Sequence, residues 1–234
     1  MRQQRNLLPF FLVKISLTGY YLFMKLRKVF IIIEIIAYAV IVTCDVSGAW
    51  NANALKFAAI ALCLAYSGFA SARGGDKLVT AALAFTLCAD VFLLLLDSSY
   101  AVGVALFCLV QGVYFVRICK SNGGRSLWSL RIALFAAAMA VLCFAKMLSP
   151  LNVLAAFYFT SFACNLLQSF SMKNRLFTIG LALFICCDIC VGIHNMPKIL
   201  PTAVYELAAV GMWLFYLPSQ VLISLSGEKN EKSS

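Results

Sequence analysis

Residues 78–96 read LVTAALAFTLCADVFLLLL, an apolar run that carries a single charged residue, Asp90. A helix of about 20 residues is long enough to cross the ~30 Å hydrocarbon core of a bilayer. A carboxylate at membrane depth costs about 2.5–3.5 kcal/mol even on a lenient scale, so it is usually kept for a function or satisfied by a specific partner. The stretch therefore predicts a membrane-spanning helix with a functional or specifically bound aspartate.

Comparable apolar runs recur along the chain, which has 234 residues, 63% of them hydrophobic and 12% charged. Soluble domains carry about 25% charged residues. The runs lack the two-residue alternation of β-barrel strands, which argues for helices. We predict an all-α polytopic membrane bundle of about eight transmembrane helices, at 28–45, 54–71, 78–96, 100–118, 130–148, 151–171, 176–194 and 203–225.

This organisation predicts a single transmembrane domain over residues 28–225, between a basic and apolar N-terminal extension, 1–27, and a polar tail, 226–234. Three interpretations of residues 7–24 stay open: an interfacial helix, a ninth span, or a segment upstream of a true start at Met24. The small-residue cleavage pattern of a signal peptide is missing from this segment.

The charge is distributed unevenly, with a formal net value of +10. In the eight-span topology all but three of the 19 Lys and Arg residues fall on one side; the exceptions are Lys56, Lys146 and Lys198. The positive-inside rule then predicts a multi-pass protein of the cell or inner membrane with both termini in the cytoplasm. Because the topology explains the basic charge, no nucleic-acid partner is predicted.

A second aspartate, Asp188, ends the octapeptide LALFICCD, which matches LAFTLCAD at 83–90 in four positions. The match predicts two four-helix halves in parallel orientation, although chance similarity in a Leu/Ala-rich chain is the alternative. Each aspartate lies 13 residues past a basic residue, Lys77 or Arg175, at the inner end of its span. That spacing places both about 20 Å deep. If spans three and seven are neighbours, the two carboxyl groups flank a common cavity.

Two such carboxyl groups have the chemistry of an acid and a base. Burial disfavours the charged form, and two interacting carboxyl groups divide their protons unequally, leaving one protonated and one ionised near neutral pH. The alternative is that each aspartate only hydrogen-bonds a neighbouring helix.

The ten cysteines lie mostly within spans, where free thiols behave as small hydrophobic side chains. Cys186, Cys190 and His194 follow one helical face, but three ligands from a single helix need help from elsewhere to hold a metal. We predict no metal site and no cofactor.

Taken in order, the polar landmarks resemble the YhhN-type lysoplasmalogenase family of eight-span membrane proteins. Five stretches in spans two to eight carry the resemblance: LKF at 55–57, CADVFLLL at 88–95, FCLVQGVYF at 107–115, LFICCDICVG at 183–192 and FYLPSQVLISLS at 215–226. They are similar to the family's Lys-Pro, Gly-Asp-x-x-Leu, Phe-x3-His-x2-Tyr, Phe-x-x-Ser-Asp and Tyr-x3-Gln-x-Leu-Ile. This chain departs from those patterns at Phe57, Ala89, Gln111 and Cys187, where the family has Pro, Gly, His and Ser.

The resemblance implies hydrolysis of the vinyl ether of a lysoplasmalogen to a fatty aldehyde and a glycerophospho-base. The partners it implies are this lysophospholipid substrate, which is taken from the bilayer, and other membrane lipids. It implies that Asp90 and Asp188 are the catalytic acid and base. The residues implied for substrate binding are Lys56, Gln111, Tyr114, Tyr216 and Gln220.

Other interpretations stay open. The aspartates suit a proton relay in a proton-coupled small-solute transporter, or the chain is a relative without catalytic activity. Broken half-helices are typical of transporters, whereas only Pro218 interrupts a span here. Lys56 has three interpretations: a side chain reaching the interface, a phosphate ligand, or a cation that keeps an aspartate ionised.

Overall fold

The computed structural model describes residues 7–48, 50–124, 126–196 and 200–229, with side chains of the first helix described from Tyr21 onward. Every regular element in these ranges is helical, which confirms the predicted all-α bundle. The elements are α1 Leu7–Ser47, α2 Asn53–Ala72, α3 Lys77–Asp90 with a π-helical segment Val91–Leu95, α4 Tyr100–Ser121, α5 Trp128–Phe144, α6 Pro150–Ser169, α7 Arg175–Asn195 and α8 Thr202–Ser226. Seven of them, all except α5, are long and apolar enough to cross a membrane.

The fifth predicted span, 130–148, is wrong at its C-terminal end because α5 stops at Phe144. Lys146 adopts a left-handed conformation, with φ of 56°. The amide of Met147 donates to the Leu142 carbonyl, and that of Lys146 to the Cys143 carbonyl. This pair of bonds is a Schellman ending, which closes a helix wherever a residue takes that conformation. The 17 residues of α5 measure about 25 Å, so its crossing of the bilayer stays a prediction.

Residues 7–24 continue without a break into the first predicted span, so the predicted boundary at residue 27 falls inside α1. The whole helix has 41 residues and is about 60 Å long, twice the thickness of the hydrocarbon core. Three parts of the sequence predictions lie outside the described residues: residues 1–6, Lys198 and the end of the tail, 230–234.

Three helices begin at side chains that satisfy their first amides. Asp76 accepts from the amide of Leu78 before α3. Ser149 accepts from the amide of Asn152 before α6. Asn174 accepts from the amide of Phe177 before α7. Because Asp, Ser and Asn are preferred N-caps, these turns are fixed locally by the sequence.

Contacts between helices arrange seven of them in a closed ring in the order α1, α2, α3, α4, α6, α7 and α8, with α8 returning to α1. The helix α8 also touches α2 and α3, so it lies toward the inside of the ring. Within the described residues the backbone of α5 approaches that of α6 alone, and the side chains of Trp128 and Arg131 contact Phe115 of α4. The helices that carry the two aspartates, α3 and α7, make no direct backbone approach, and α8 packs on both.

The most extensive helix pair, α7 and α8, is brought together by glycines. A Cβ atom placed on Gly180 would lie 2.8 Å from the Ile223 side chain and 3.2 Å from the Ser219 carbonyl oxygen of α8. A Cβ atom on Gly211 would lie 2.7 Å from the sulfur of Cys190 on α7. Small residues at these two crossings therefore let the two backbones approach closely, as in many membrane helix pairs.

We expect Gly180→Ala to destabilise the bundle by about 1–3 kcal/mol, because the new methyl group forces α7 and α8 apart. The measurement is the free energy of unfolding in mixed micelles. Gly192→Ala is the matched control on the same helix, since a Cβ there meets nothing within 4 Å. Equal stability of the two variants would contradict close α7–α8 packing at Gly180.

Candidate active site

Asp90 is the last α-helical residue of α3, and Tyr216 of α8 binds it. The Tyr216 hydroxyl lies 2.9 and 2.8 Å from the two carboxylate oxygens, and its O–H donates to that group. Asp90 is only 5% exposed. The π-helical segment Val91–Leu95 begins at the next residue, and such segments are frequent at functional sites. The structure thus fixes Asp90 at an irregular point of its helix.

Asp188 of α7 is bound in the same way by a different helix. The hydroxyl of Tyr158, on α6, donates to Asp188 Oδ2 over 2.6 Å. Asp188 is partly exposed, whereas Asp90 is buried. The other carboxylate oxygen, Oδ1, accepts no hydrogen bond from the part of the chain that the structure describes. Each aspartate therefore has one tyrosine donor, but the two residues differ in exposed surface and in the number of oxygens near that donor.

An aromatic cluster of Phe107, Tyr158, Phe162, Phe184 and Tyr216 contains both tyrosines that bind the aspartates. The Phe184 ring lies at its centre, with its centroid 5.5 Å from that of Tyr216, 5.7 Å from Phe107 and 5.1 Å from Phe162. Tyr158 packs on Phe107 at 5.9 Å. The two tyrosines that hold the aspartates are therefore part of one packed cluster, reached from α6 on one side and from α8 on the other.

Cys187 lies near both aspartates. It precedes Asp188 in α7, is buried, and its thiol is near enough to both Asp90 and Asp188 to interact electrostatically with each. The two carboxyl groups therefore border the same region of the ring interior although their helices do not touch. This arrangement replaces the direct contact between spans three and seven on which the sequence prediction of a common cavity depended.

Several buried polar atoms near the cluster accept or donate no hydrogen bond within the described residues. Tyr114 hydroxyl, Gln111 Nε2 and Gln220 Oε1 belong to residues that the resemblance implies for substrate binding. Thr86 Oγ1, one helical turn before Asp90, is a fourth. Gln220 lies one turn after Tyr216 on α8, so α3 and α8 each present a polar atom one turn below the Asp90–Tyr216 pair. Buried polar groups are normally satisfied, so these atoms favour a polar ligand or water.

The remaining predicted binding residue, Lys56, is already paired. Its ammonium nitrogen lies 2.7 Å from Asp45 Oδ1 at the end of α1, and 4.9 Å from the centroid of the Trp213 ring. Trp213 in turn packs edge-on against Tyr216 at 5.2 Å. Of the three interpretations of Lys56, the ion pair with an aspartate describes its position, but the partner is Asp45 and not Asp90 or Asp188.

The histidine and the nearby cysteines do not assemble with further ligands. His194 Nδ1 lies 3.5 Å from the Tyr205 carbonyl oxygen, near the exposed end of α7. Among the residues that the structure describes, no group of three His, Cys, Asp or Glu side chains is placed to hold a metal ion.

Sequence reasoning missed three members of this region: Tyr158, Asp45 and Thr86. Thr86 had a signal, since it precedes Asp90 by one helical turn and so shares its face. Tyr158 and Asp45 had none, because their roles arise only when α6 meets α7 and when α1 meets α2.

Comparison with known families assigns the chain to one of them. The YhhN family model matches residues 51–227, which include α2 to α8 and both tyrosine–aspartate pairs. The chain belongs to the YhhN family. Searches of curated proteins and of solved structures give no match.

Within this YhhN protein, the matched region begins after α1, so Asp45 lies outside it and its partner Lys56 lies inside. The stretches that carry the family resemblance fall on α2, α3, α4, α7 and α8. The helix α6 carries none of them and still supplies Tyr158. The Asp188 environment of this YhhN protein therefore includes a residue outside the family-like stretches.

We expect Tyr216→Phe to lower the free energy of unfolding by about 1–3 kcal/mol, because it leaves a buried carboxyl group without its hydrogen-bond donor. Tyr38→Phe is the control, since the Tyr38 hydroxyl donates to the Leu214 carbonyl at an exposed position. Adding Asp90→Leu to Tyr216→Phe should recover stability, because the unsatisfied group is then removed. Unfolding in mixed micelles measures all four proteins, and equal losses from Tyr216→Phe and Tyr38→Phe would refute the expectation.

Proposed function

We propose that this YhhN protein hydrolyses the vinyl ether bond of a lysoplasmalogen and releases a fatty aldehyde and a glycerophospho-base. Membership of the family is consistent with a lysoplasmalogenase-type role in a membrane. The observation that carries the proposal is the pair of intramembrane aspartates, each bound by a tyrosine of the same aromatic cluster. An intramembrane carboxyl group is retained for function more often than for stability, and two in one region supply an acid and a base.

The chemistry of a vinyl ether matches these groups. A proton added to the β-carbon converts the double bond into an oxocarbenium ion. Water then adds to the carbon bonded to oxygen, and its surplus proton passes to a carboxylate. The resulting hemiacetal breaks its carbon–oxygen bond, giving the aldehyde and the free hydroxyl of the glycerophospho-base. Glycosidases process a related cation with one acid and one carboxylate.

We assign the acid role to Asp188 and the carboxylate role to Asp90. The Tyr216 hydroxyl donates one hydrogen bond to the Asp90 carboxyl group, and that bond stabilises the ionised form against the cost of its burial. Asp188 has one oxygen free of hydrogen bonds among the described residues and is partly exposed, so it can carry a proton and regain it after each turnover. The ring faces of the aromatic cluster add a favourable surface for the cation.

The unpartnered polar atoms of Gln111, Tyr114 and Gln220 suit the polar end of such a substrate. They supply amide and hydroxyl groups that bind the glycerol hydroxyl or the attacking water. The proposed reaction uses protons and water alone and so requires no cofactor.

Asp90→Asn and Asp188→Asn should each reduce aldehyde release from lysoplasmalogen by about 100-fold or more, the scale of losing acid or base catalysis. The assay uses purified protein in detergent micelles or nanodiscs. Asp97→Asn is the control, because Asp97 lies in the loop after α3, is exposed and has φ of 46°, which asparagine tolerates. Activity that survives both intramembrane substitutions would exclude the two-aspartate mechanism.

Proton-coupled transport is the second candidate, favoured by the irregular helix at Asp90. It is tested with the same variants in proteoliposomes that report internal pH. Proton flux that is lost in Asp90→Asn, from a protein that releases no aldehyde, would replace the hydrolase proposal with the transporter.

For Lys56, we expect Lys56→Met to destabilise the protein, because it leaves the half-buried Asp45 without its counter-ion. The double variant Lys56→Met/Asp45→Asn should restore most of that stability. If Lys56 also binds the substrate phosphate, the double variant keeps a raised KM after its stability is restored. An unchanged KM would assign Lys56 to the ion pair alone.

A further inference from the structure

A groove on the outside of the ring lies between α4 and α5, with α6 as its floor. Its volume is about 270 Å³. It exists because, in the described part of the chain, the backbone of α5 approaches that of α6 and not that of α4, whereas Trp128 and Arg131, near the start of α5, reach Phe115 of α4 with their side chains. Most of its surface is apolar, with Phe115 and Trp128 in contact near the end at which α5 begins, and Phe135 and Phe157 in contact farther along.

The charged residue in this groove is Arg131, and its partners are neutral. Its guanidinium donates to the Ser161 carbonyl oxygen at 3.2 Å, to Asn165 Oδ1 at 2.7 Å and to Gln168 Oε1 at 2.6 Å. It forms no ion pair with any carboxylate in the described ranges. A guanidinium on a membrane-facing helix without a counter-ion is costly, and an anion in the groove would supply one.

Two buried N–H groups of the groove residues also lack acceptors among the described atoms. They are Nε of Arg131 and Nε2 of Gln111. Gln111 is 1% exposed, and its amide oxygen is occupied because Asn165 donates to it over 2.9 Å. The two unsatisfied groups are therefore donors buried beneath the groove surface, and they favour acceptor oxygens such as those of a phosphate.

The groove has its charge at one end. Arg131 lies in the first turn of α5, about 5 Å along the helix axis from Trp128. The apolar contact between Phe135 and Phe157 lies more than one helical turn farther along. In the predicted topology that direction runs from the cytoplasmic interface toward the bilayer centre. A charged end at the headgroup level and an apolar end in the hydrocarbon match an amphiphile with one chain.

We infer that this α4–α5 groove is an entry site for a single-chain phospholipid, whose phosphate binds Arg131 and whose chain lies against Phe115, Phe135 and Phe157. The inference rests on the proposed function for the identity of the lipid, a lysophospholipid. Gln111 connects the groove to the interior, since it lines the groove and shares a face of α4 with Phe107 of the aromatic cluster. Lys56 is neutralised by Asp45, whereas Arg131 is available to a phosphate.

The test uses a lysophosphatidylcholine analogue with a saturated 1-O-alkyl chain that carries a diazirine, which the proposed reaction cannot cleave. Protein in nanodiscs is photolabelled, and mass spectrometry locates the labelled residues. We expect labelling on the groove faces of α4, α5 and α6. Arg131→Gln should reduce labelling roughly 10-fold, the scale of losing one hydrogen bond to a charged group.

A second variant keeps the Arg131 network intact. Gly112 lines the groove, and a Cβ there would meet nothing within 4 Å, so Gly112→Leu places a bulky side chain in the groove from an open Cβ position. We expect it to abolish labelling, whereas Gly192→Leu, at an equally open glycine of α7, leaves it unchanged. Unlabelled lysophosphatidylcholine should compete with the probe, and monoacylglycerol or glycerophosphocholine, which lack the phosphate or the chain, should not.

The outcomes separate the groove from the reaction. Labelling that is confined to the groove, from a protein that releases no aldehyde, supports the entry site and contradicts the proposed function. Aldehyde release with labelling elsewhere, or with labelling unchanged by both Arg131→Gln and Gly112→Leu, overturns the entry site. If the enzyme is active, Arg131→Gln should raise KM and leave kcat unchanged, because Arg131 acts before the chemical step.

Discussion

The hydrogen bond from Tyr216 to Asp90 is the contact on which the arrangement of the ring depends. A buried carboxyl group in a membrane must find a donor, and the donor here comes from the last helix in the chain. Because Tyr216 must reach α3, the helix α8 cannot remain on the outside of the bundle. It lies inward, between α3 and α7, and therefore separates the two helices that carry the aspartates. The glycines at 180 and 211 then allow α8 to approach α7 closely in the same position.

Contacts at the C-terminal end of α8 fix the position of this helix along its own axis. The guanidinium of Arg117 donates to Asp76, at 2.6 Å, and to both the hydroxyl and the carbonyl oxygen of Ser226, the last residue of α8. The side chain of Asn174, which caps α7, donates to the same carbonyl oxygen. The end of α8 is thus tied to α3, α4 and α7 together. A shift of α8 by one turn would break these bonds and move Tyr216 away from Asp90.

The same end of α8 also contacts the turn that connects α2 with α3. The turn before α3 contains the glycine pair Gly74-Gly75, and the structure shows why a glycine is needed there. The amide of Asp76 donates to the Gly227 carbonyl oxygen over 2.8 Å, and a Cβ on Gly75 would lie 2.5 Å from that oxygen. A glycine in this turn therefore permits the backbone of the α2–α3 connection to pack against the end of α8.

Helices were predictable from the sequence because each span is apolar by its own composition, and span ends agree with the structure to within three residues except at the start of α1 and at the end of α5. The positions of Asp90 and Asp188 were predictable for the same reason, since charge inside an apolar run is visible locally. Their partners were not. Tyr158 is one of nine tyrosines, and its neighbours in the sequence do not mark it as a partner of Asp188. That role arises only when α6 packs against α7. Likewise, the role of Asp45 depends on its ion pair with Lys56, which lies on the next helix.

The two octapeptides that end at Asp90 and Asp188 are similar, but the similarity does not extend to the residues that bind the aspartates. The two aspartates share a sequence pattern, yet their donors come from α6 and from α8, which are not equivalent in two four-helix halves. Positions 60 and 118, which correspond to Tyr158 and Tyr216 by the offset between the aspartates, are isoleucines. Any internal symmetry therefore ends at the carboxyl groups, and each tyrosine was placed by packing and not by repetition.

The ability of the site to catalyse the proposed reaction depends on Gln111 and Cys187, two positions at which the chain departs from the family pattern. The family resemblance has a histidine and a serine at these positions. In this chain Asn165 fixes the amide oxygen of Gln111 and leaves its N–H groups as donors, so the position orients a ligand without changing protonation. Vinyl ether hydrolysis needs one group that gives a proton and one that accepts it, and the proposed mechanism draws both from aspartates. Replacing the imidazole removes a third proton carrier and leaves those two in place, while Cys187 keeps a small, buried side chain next to Asp188.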